Sequence, residues 1–225
     1  MTQSRGVFIT FEGGEGAGKS TQASLLATAL EQKGYAVIKT REPGGVSIAE
    51  RIRDILVNQP NPLNPISQLL LLNVARLEHL NNLIIPSIKQ GKIVICDRFY
   101  DSTMAYQGYG QGISIEQIKL VHQFVSGSFM PDITFILDIG IEESVKRVIN
   151  RSKISQKTIS KDYFESLGRD FHQRVRNGFH QITQDNPHRC LLLKADVEAN
   201  ELHLTILSLL KEKLGLKVDD KKSTP

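Results

Sequence analysis

One segment of the chain combines glycines, a lysine and a serine in a spacing that can bind a polyphosphate. Its residues are Gly13-Gly14-Glu15-Gly16-Ala17-Gly18-Lys19-Ser20, followed by Thr21, and they match G-x-x-x-x-G-K-[ST] in full. Glycines let the backbone wrap an anion so that its N–H groups converge on the phosphates at the start of a helix. Lys19 adds positive charge at the β- and γ-phosphates, and the Ser20 hydroxyl can bind Mg²⁺. The segment predicts a nucleoside triphosphate site with Mg²⁺ as cofactor.

Two apolar runs end in an aspartate that could complete the magnesium site. The first run ends at Asp97 and the second at Asp138. Arg98 follows Asp97 directly, whereas the residues after Asp138 are apolar and offer no cation. Ligands of a parallel sheet bind at the carboxyl ends of its strands. We therefore expect Asp97, with Ser20, to hold Mg²⁺ through water.

The chain lacks the guanine-recognition motif that accompanies the phosphate-binding loop in GTPases. A GTPase-type switch needs N-K-x-D to recognise guanine, and the nearest match, Lys194-Ala195-Asp196, follows a leucine instead of an asparagine. A motor or helicase ATPase would usually be larger than 225 residues. The length fits a small-molecule kinase best, and the GTPase-type switch remains the alternative from another class.

The composition is that of an ordinary globular protein, with 40% hydrophobic and 23% charged residues. A formal net charge of +4 suits a small anion as well as a nucleic acid. Only 6% of the residues are aromatic, which is few for stacking bases, so we expect no nucleic-acid partner. Two cysteines in apolar runs favour reduced core thiols. With no signal-like or membrane-length apolar run, the sequence predicts a cytoplasmic protein that does not interact with membranes.

The candidate site residues lie at the ends of strand-like segments that alternate with helix-like segments. This alternation predicts an α/β fold with a parallel sheet. Capping boxes at Ser47 and Ser114 predict two helix starts. A long helix is expected over 67–90, kinked at Pro86. The predicted strands are Val7–Glu12, Tyr35–Lys39, Ile93–Asp97, Ile133–Asp138 and Arg189–Lys194.

Several motifs together resemble those of thymidylate (dTMP) kinases, over about residues 7–215. The matching segments are Phe11 to Gln22, Arg41-Glu42-Pro43-Gly44-Gly45, Ala75-Arg76, Asp97-Arg98-Phe99 and Ser102-Thr103-Met104-Ala105-Tyr106-Gln107-Gly108. The resemblance implies transfer of a phosphoryl group from ATP to dTMP, with Mg²⁺, by a homodimer. It also implies a three-layer P-loop kinase fold, with a five-stranded parallel sheet and a short basic lid. Another deoxynucleotide or deoxynucleoside kinase is the alternative within this class.

The resemblance also implies which residues bind the phosphate and sugar of dTMP. Arg98, with Arg41 near it, would bind the phosphate, and Ser102 lies in the same segment. Glu15 would lie near the sugar and phosphate end, and Tyr106 would lie against the deoxyribose where a 2′-hydroxyl would otherwise sit. Because the acceptor oxygen is already anionic, the reaction needs no general base.

Four further residues are implied in binding the thymine base. Arg76 would contact the base, and Thr103 and Gln107 lie in the segment that binds its edge. The family usually has an aromatic residue one turn before Arg76, where this chain has Leu72. An apolar contact with thymine can survive that change, but aromatic stacking cannot.

The cation that neutralises the transferring phosphoryl group is expected to come from the lid. Some relatives have an arginine in the phosphate-binding loop where this chain has Gly16. No acidic residue lies between Glu143 and Asp162, a stretch that contains six cations: Lys146, Arg147, Arg151, Lys153, Lys157 and Lys161. We expect a lid over about 151–163, with Arg151 acting beside Lys19, Arg98 and Glu15. A solvated basic helix face is the alternative, since three of the lysines recur at helical spacing. Tyr163 also replaces a cation that is common in such lids.

The sequence predicts one domain over 1–215 and a charged, disordered tail over 216–225. No linker or internal repeat divides the chain. The apolar helix face between Leu69 and Leu83 is the candidate dimer interface.

Overall fold

The sheet at the centre of the protein is parallel throughout. The structure is a computed structural model that describes residues 5–58, 63–155 and 167–218, with only the backbone for 151–155. The strand order is β2-β3-β1-β4-β5. The strands are β1 (Val7–Gly13), β2 (Val37–Arg41), β3 (Ile93–Asp97), β4 (Ile133–Asp138) and β5 (Cys190–Lys194). The predicted five-stranded parallel sheet is confirmed, with β3 and β4 at their predicted bounds and β2 shifted by two residues.

Helices cover both faces of the sheet, which gives the three layers that the sequence predicts. Side chains of a strand alternate between its faces. Phe8 and Val94 therefore enter one buried cluster, and Ile9 and Ile95 enter the other. The helices are α1 (Lys19–Gln32), α2 (Ser47–Val57), α3 (Pro65–His79), α4 (Ile85–Lys89), α5 (Tyr100–Thr103), α6 (Ile115–Ser126), α7 (Ile141–Ser155), α8 (Arg169–Asp185) and α9 (Ala199–Leu214).

The long helix expected over 67–90 is three consecutive segments. Helix α3 begins at Pro65, where the Asn64 side chain accepts a hydrogen bond from the Ile66 N–H. A π-helical segment, Leu80–Ile84, separates α3 from α4. Proline lacks an N–H donor, so the backbone widens before Pro86 instead of only bending there.

The segment that connects β3 to α6 is helical, which the sequence analysis did not predict. After α5 the backbone continues as a π-helical segment, Met104–Gly110. Tyr106 packs there against Phe171 and Phe179 of α8 in edge-to-face geometry. The segment contains small and polar residues without apolar helical spacing, so only its packing on α8 reveals the helix.

Both predicted capping boxes are wrong in detail. Helix α2 begins at Ser47 itself, after Val46, and no side chain caps it. Glu50 instead accepts a hydrogen bond from the Gly45 N–H at 2.9 Å. Ser114 does precede α6, but its hydroxyl donates to the carboxylate of Glu116.

The chain remains packed on the core beyond Gly215. Leu216 and Val218 are buried in the cluster formed with α1 and α9. The Lys217 N–H also donates to the Tyr35 hydroxyl at 3.0 Å. The prediction that the disordered tail starts at 216 is therefore wrong for residues 216–218, while 219–225 lie outside the described residues. In the part of the chain that the structure describes, no helix is long and apolar enough to cross a membrane.

Candidate active site

One cavity of about 830 Å³ opens at the carboxyl ends of β1, β2 and β3. Parallel strands end at the same edge, so the loops that follow them converge there. Most of the predicted site residues line this cavity: Glu15, Gly16, Ala17, Gly18, Lys19, Ser20, Thr21, Arg41, Leu72, Arg76, Asp97, Arg98, Ser102, Thr103, Tyr106 and Gln107. Gly13 and Gly14 are not among its lining residues, although their carbonyl groups face Lys19.

The loop between β1 and α1 has the geometry of an anion site. Gly18, directly before α1, has φ +91°, a left-handed conformation that favours glycine. The Lys19 side chain is buried and donates to the carbonyl oxygens of Gly13 and Gly14 at 3.1 and 2.6 Å. Burial, and then the neighbouring Arg98 cation, lower the pKa of Lys19 to about 8. The lysine is therefore held within the loop by backbone carbonyl groups.

Oxygen atoms that suit a magnesium ion lie next to this loop. The Ser20 hydroxyl donates to the Asp97 carboxylate, which ends β3. A hydroxyl and a carboxylate are the hard oxygen donors that Mg²⁺ prefers, together with water and phosphate oxygens. These two residues therefore fit the predicted ion.

The alternative carboxylate, Asp138, is already paired. Arg176 of α8 donates to both of its oxygens, at 2.6 and 2.8 Å. His180 lies 3.0 Å from Oδ1. The sequence that follows Asp138 predicts no cation beside it, and that prediction is wrong because α8 supplies one from a distant part of the chain.

Arg98 has a strained backbone. Its φ of +71° is the only positive value for a non-glycine residue in the described ranges, and such a conformation costs about 1–3 kcal/mol. Hydrogen bonds on either side hold it, because the Arg98 N–H donates to Phe11 and the Phe99 N–H donates to buried Glu12 at 2.7 Å. In this backbone conformation the guanidinium lies beside the phosphate-binding loop, where it donates to Glu15 at 2.7 Å.

Glu15, Arg98 and Tyr106 form one hydrogen-bonded group. The Tyr106 hydroxyl donates to Glu15 at 2.9 Å, and the Arg98 guanidinium lies 5.0 Å from the centre of the Tyr106 ring. Burial opposes ionisation of Glu15, but Arg98 and Lys19 lower its pKa to about 2. Burial raises the pKa of Tyr106 above its usual range, so the hydroxyl stays a donor. Ser102 also accepts from Arg98 at 3.0 Å, which fixes the guanidinium further.

Arg76 is a buried residue of the cavity wall. Its side chain is only 1% exposed and donates to Glu42 at 2.8 Å and to Thr103 at 3.0 Å. The guanidinium also lies 5.0 Å from the centre of the Phe99 ring. Its third nitrogen, Nη1, is buried and has no hydrogen-bond partner among the residues that the structure describes. A buried donor without a partner is costly, so a ligand that accepts from it would be favoured.

Arg41 is placed differently from Arg76. It lines the cavity, but its side chain is 55% exposed and donates to Glu50 at 3.0 and 3.2 Å. The structure therefore shows Arg41 paired with Glu50, and Arg98 paired with Glu15. A phosphate would have to draw Arg41 from that exposed ion pair, which contributes little to stability.

One part of the cavity wall, formed by Arg147 and Ala195, was not predicted as part of the site from the sequence. Arg147 of α7 donates to the Ala195 carbonyl at 2.9 Å, and both residues line the cavity. Gln22 of α1 donates to the Ala199 carbonyl at 2.8 Å. Ala195 follows the end of β5, and this position at the ligand-binding edge of the sheet was the available signal. In the sequence, Ala195 otherwise belongs only to Lys194-Ala195-Asp196, the incomplete guanine-binding motif.

The lid lies mostly outside the described residues. The backbone at Arg151 belongs to the last turns of α7, and its side chain and residues 156–163 are not described. The base of α7 contacts the phosphate-binding loop, since the Ser144 hydroxyl donates to the Glu15 carbonyl at 2.6 Å. A Cβ on Gly16 would lie 2.8 Å from the Ser144 carbonyl oxygen. The close approach of α7 therefore excludes a side chain at this loop position.

Comparisons with known proteins agree on one family. The family model described as thymidylate kinase matches residues 11–206. A thymidylate kinase of Chlorobium chlorochromatii is 39% identical over 216 residues, which are 94% of this chain and 97% of the relative. A thymidylate kinase of a Wolbachia from Brugia malayi is 42% identical over 207 residues, or 90% and 94% of the two chains. The crystal structure of a thymidylate kinase from Ehrlichia chaffeensis is similar, with a TM-score of 0.74, 39% identity, and coverage of 92% of this chain and 99% of that one.

Proposed function

Since the chain belongs to the thymidylate kinase family, we propose that it transfers the γ-phosphoryl group of ATP to dTMP, giving ADP and dTDP. The supporting observation is that Arg98 links two parts of one cavity. It donates to Glu15 of the phosphate-binding loop, and the π-helical segment beside it faces the pocket of Arg76. Donor and acceptor phosphates can therefore meet at Arg98.

The family match removes support for a GTPase-type switch, and the resemblance seen in the motifs is confirmed. The proposal specifies dTMP as the preferred acceptor among the nucleoside monophosphates. A coupled ADP-release assay with dTMP, dUMP, dCMP and dAMP tests the proposal directly. We expect the highest kcat/KM with dTMP, and a higher kcat/KM with any other acceptor would contradict it.

At the donor end, the backbone of the phosphate-binding loop and Lys19 bind the triphosphate. The wall formed by Arg147 and Ala195 lies in the same cavity and is suited to the rest of the nucleotide. Ser20 and Asp97 would hold Mg²⁺, the ion on which the family's chemistry depends. When bound, Mg²⁺ neutralises charge on the β- and γ-phosphates.

At the acceptor end, Arg98 binds the dTMP phosphate and Arg41 joins it after leaving Glu50. The Tyr106 ring lies where it can border the sugar. Arg76, Thr103 and Gln107 line the pocket for the base, with Leu72 as an apolar contact: all are among the residues of the cavity.

Catalysis then depends on position and charge. The attacking oxygen of the acceptor phosphate is anionic, so no residue has to remove a proton from it. Lys19 and Arg98 stabilise the negative charge on the transferring group, and Arg151 of the lid supplies a further cation. Glu15 orients Arg98 through their ion pair, and α7 carries the lid on a base anchored to the same loop.

We also propose a homodimer, formed through the exposed face of α3. Leu69 and Leu80, within the predicted interface, are buried in the core. Leu70, Val74 and Leu77 are each more than a third exposed, at spacings of four and three that place them on one stripe. Val74→Lys should give a monomer in light scattering, whereas Leu204→Lys on α9, where Leu204 is 60% exposed, should leave a dimer. A dimeric Val74→Lys protein would contradict this interface.

The expected location is the cytoplasm, where dTMP and ATP are available. The two cysteines, Cys96 and Cys190, are free and buried, as expected for a reducing compartment.

A further inference from the structure

A row of hydrogen-bonded side chains extends from Arg76 through Glu42 and His79 to Thr40. The proposed reaction does not use Glu42, His79 or Thr40. Glu42 accepts from Arg76 through Oε2 at 2.8 Å, and its Oε1 lies 3.2 Å from His79 Nδ1. His79 Nε2 lies 2.7 Å from the Thr40 hydroxyl. The side chains of Arg76, Glu42 and His79 are 1%, 4% and 0% exposed. The row therefore runs from partly exposed Thr40 on β2, through two buried side chains, to the cavity wall at Arg76.

The partners determine the direction of these hydrogen bonds. An ionised carboxylate only accepts, so Nδ1–H of His79 donates to Glu42. Nε2 is then free to accept from the Thr40 hydroxyl. Both oxygens of Glu42 are thus engaged, and Arg76 is held at Nε by Glu42 and at Nη2 by Thr103. Within the described ranges, Nη1 is the one guanidinium nitrogen of Arg76 without a partner.

The local sequence is built around the imidazole ring. His79 follows Arg76 by three residues, so both side chains lie on the same face of α3. Gly45 packs directly against the ring and has φ +86°. A Cβ there would lie 2.3 Å from His79 Nε2 and 2.4 Å from Thr40 Oγ1. The second glycine of the Arg41–Gly45 motif therefore makes room for the row.

We infer that His79 is a positioning residue for recognition of the acceptor base: it fixes Glu42, and through Glu42 the guanidinium of Arg76. This inference rests on the proposed function. Arginine only donates hydrogen bonds. Thymine carries a carbonyl oxygen where cytosine carries an amino group, so a fixed guanidinium favours the base that can accept from it. A guanidinium without its anchor turns away and loses that preference.

The experiment compares His79→Leu, which removes the donor at similar volume, with His79→Asn, which retains an N–H near Nδ1. Steady-state kinetics give KM for dTMP, KM for ATP and kcat, and competition gives Ki for dCMP. A lost buried hydrogen bond predicts that His79→Leu raises KM for dTMP about tenfold. We expect KM for ATP, kcat and Ki for dCMP to stay within about twofold, and His79→Asn to restore most of the dTMP affinity.

A merely structural role would give a different result. Damage to the pocket as a whole would raise KM for dTMP and Ki for dCMP together, and that outcome overturns the inference. So does an unchanged KM for dTMP in a folded His79→Leu protein.

If His79→Leu does not fold, Thr40→Val decides the question, since it removes only the outer hydroxyl. We expect it to raise KM for dTMP about threefold with no change in Ki for dCMP, by weakening one neutral hydrogen bond. Equal values for Thr40→Val and wild type would then overturn the inference. Failure of the wild-type enzyme to phosphorylate dTMP would instead reject the proposed function, so the two failures are distinct.

Discussion

The two ends of the cavity hold their cations in different ways. At the acceptor end, Arg76 is 1% exposed and is fixed by Glu42 and Thr103. At the donor end, Lys19 donates hydrogen bonds to two backbone carbonyls, and the Arg147 side chain is 34% exposed. The base pocket of the acceptor end is formed by buried side chains that hold one another, whereas the donor end depends on backbone geometry and partly exposed charges.

In the proposed reaction, this difference separates selectivity for the acceptor base from transfer of the phosphoryl group. A buried ion pair is costly to break, by about 3–5 kcal/mol when one partner is removed. The pair therefore keeps the base pocket in one geometry, which fits one base. Backbone N–H groups and partly exposed cations do not discriminate between triphosphates. A partly exposed cation can also move with the phosphoryl group as it is transferred. We therefore expect acceptor-end substitutions to change KM for dTMP, and donor-end substitutions to change kcat.

The largest effect is expected for Lys19→Ala. Removing a preorganised charge at the transferring group should lower kcat by at least about 100-fold while the protein remains folded. Stopped-flow or steady-state measurement of ADP release gives the loss in kcat, and circular dichroism checks that the variant is folded. Near-normal turnover would contradict the assignment of the loop.

The second prediction concerns pH. The pKa of Lys19 is lowered to about 8, so the free enzyme loses this charge as the pH rises through 8. The value of kcat/KM for ATP should fall about tenfold between pH 7 and pH 9, because kcat/KM reports the groups of the free enzyme. At saturating ATP the bound phosphates keep the lysine charged, and kcat should stay nearly flat. A parallel fall in kcat would place the titrating group elsewhere.

Arg151→Ala tests whether the lid belongs to the donor end. A contact made mainly in the transition state affects kcat more than KM. We expect kcat to fall about tenfold, with Lys19 and Arg98 still in place, and KM for ATP to change less. Lys157→Ala is the control. Small, equal effects at both positions would show a solvated basic face, since exposed charges contribute only about 0–1 kcal/mol.

The smallest effect is expected at Tyr106, where the two ends meet. If the ring fills the space of a 2′-hydroxyl, Tyr106→Ala should reduce the preference for dTMP over its ribose counterpart at least about threefold. Tyr106→Phe keeps the ring but removes the hydroxyl that donates to Glu15 at 2.9 Å, so it should keep the preference and change kcat instead. Equal preferences in Tyr106→Ala and wild type would mean that another residue excludes ribose.

Local patterns determined much of the fold. The apolar runs that end at Asp97 and Asp138 are strands with the predicted bounds, because each is buried on both faces of the sheet. The conformation of the loop between β1 and α1 could also be predicted, since the glycines that shape it lie within consecutive residues. The helical segment over residues 100–110 could not, because its stability depends on packing against α8, which lies far along the chain.

The sequence by itself determined the sheet, the glycine-rich loop before α1 and, through its motifs, the family. Only the tertiary structure decided how the charges pair. Asp138 is bound by Arg176, Arg41 is held by Glu50, and Arg76 is fixed through Glu42. Partners that are many residues apart leave no periodicity or spacing in the sequence. Their pairing follows from burial, since a charge removed from water must find a partner among whatever side chains the fold brings to it.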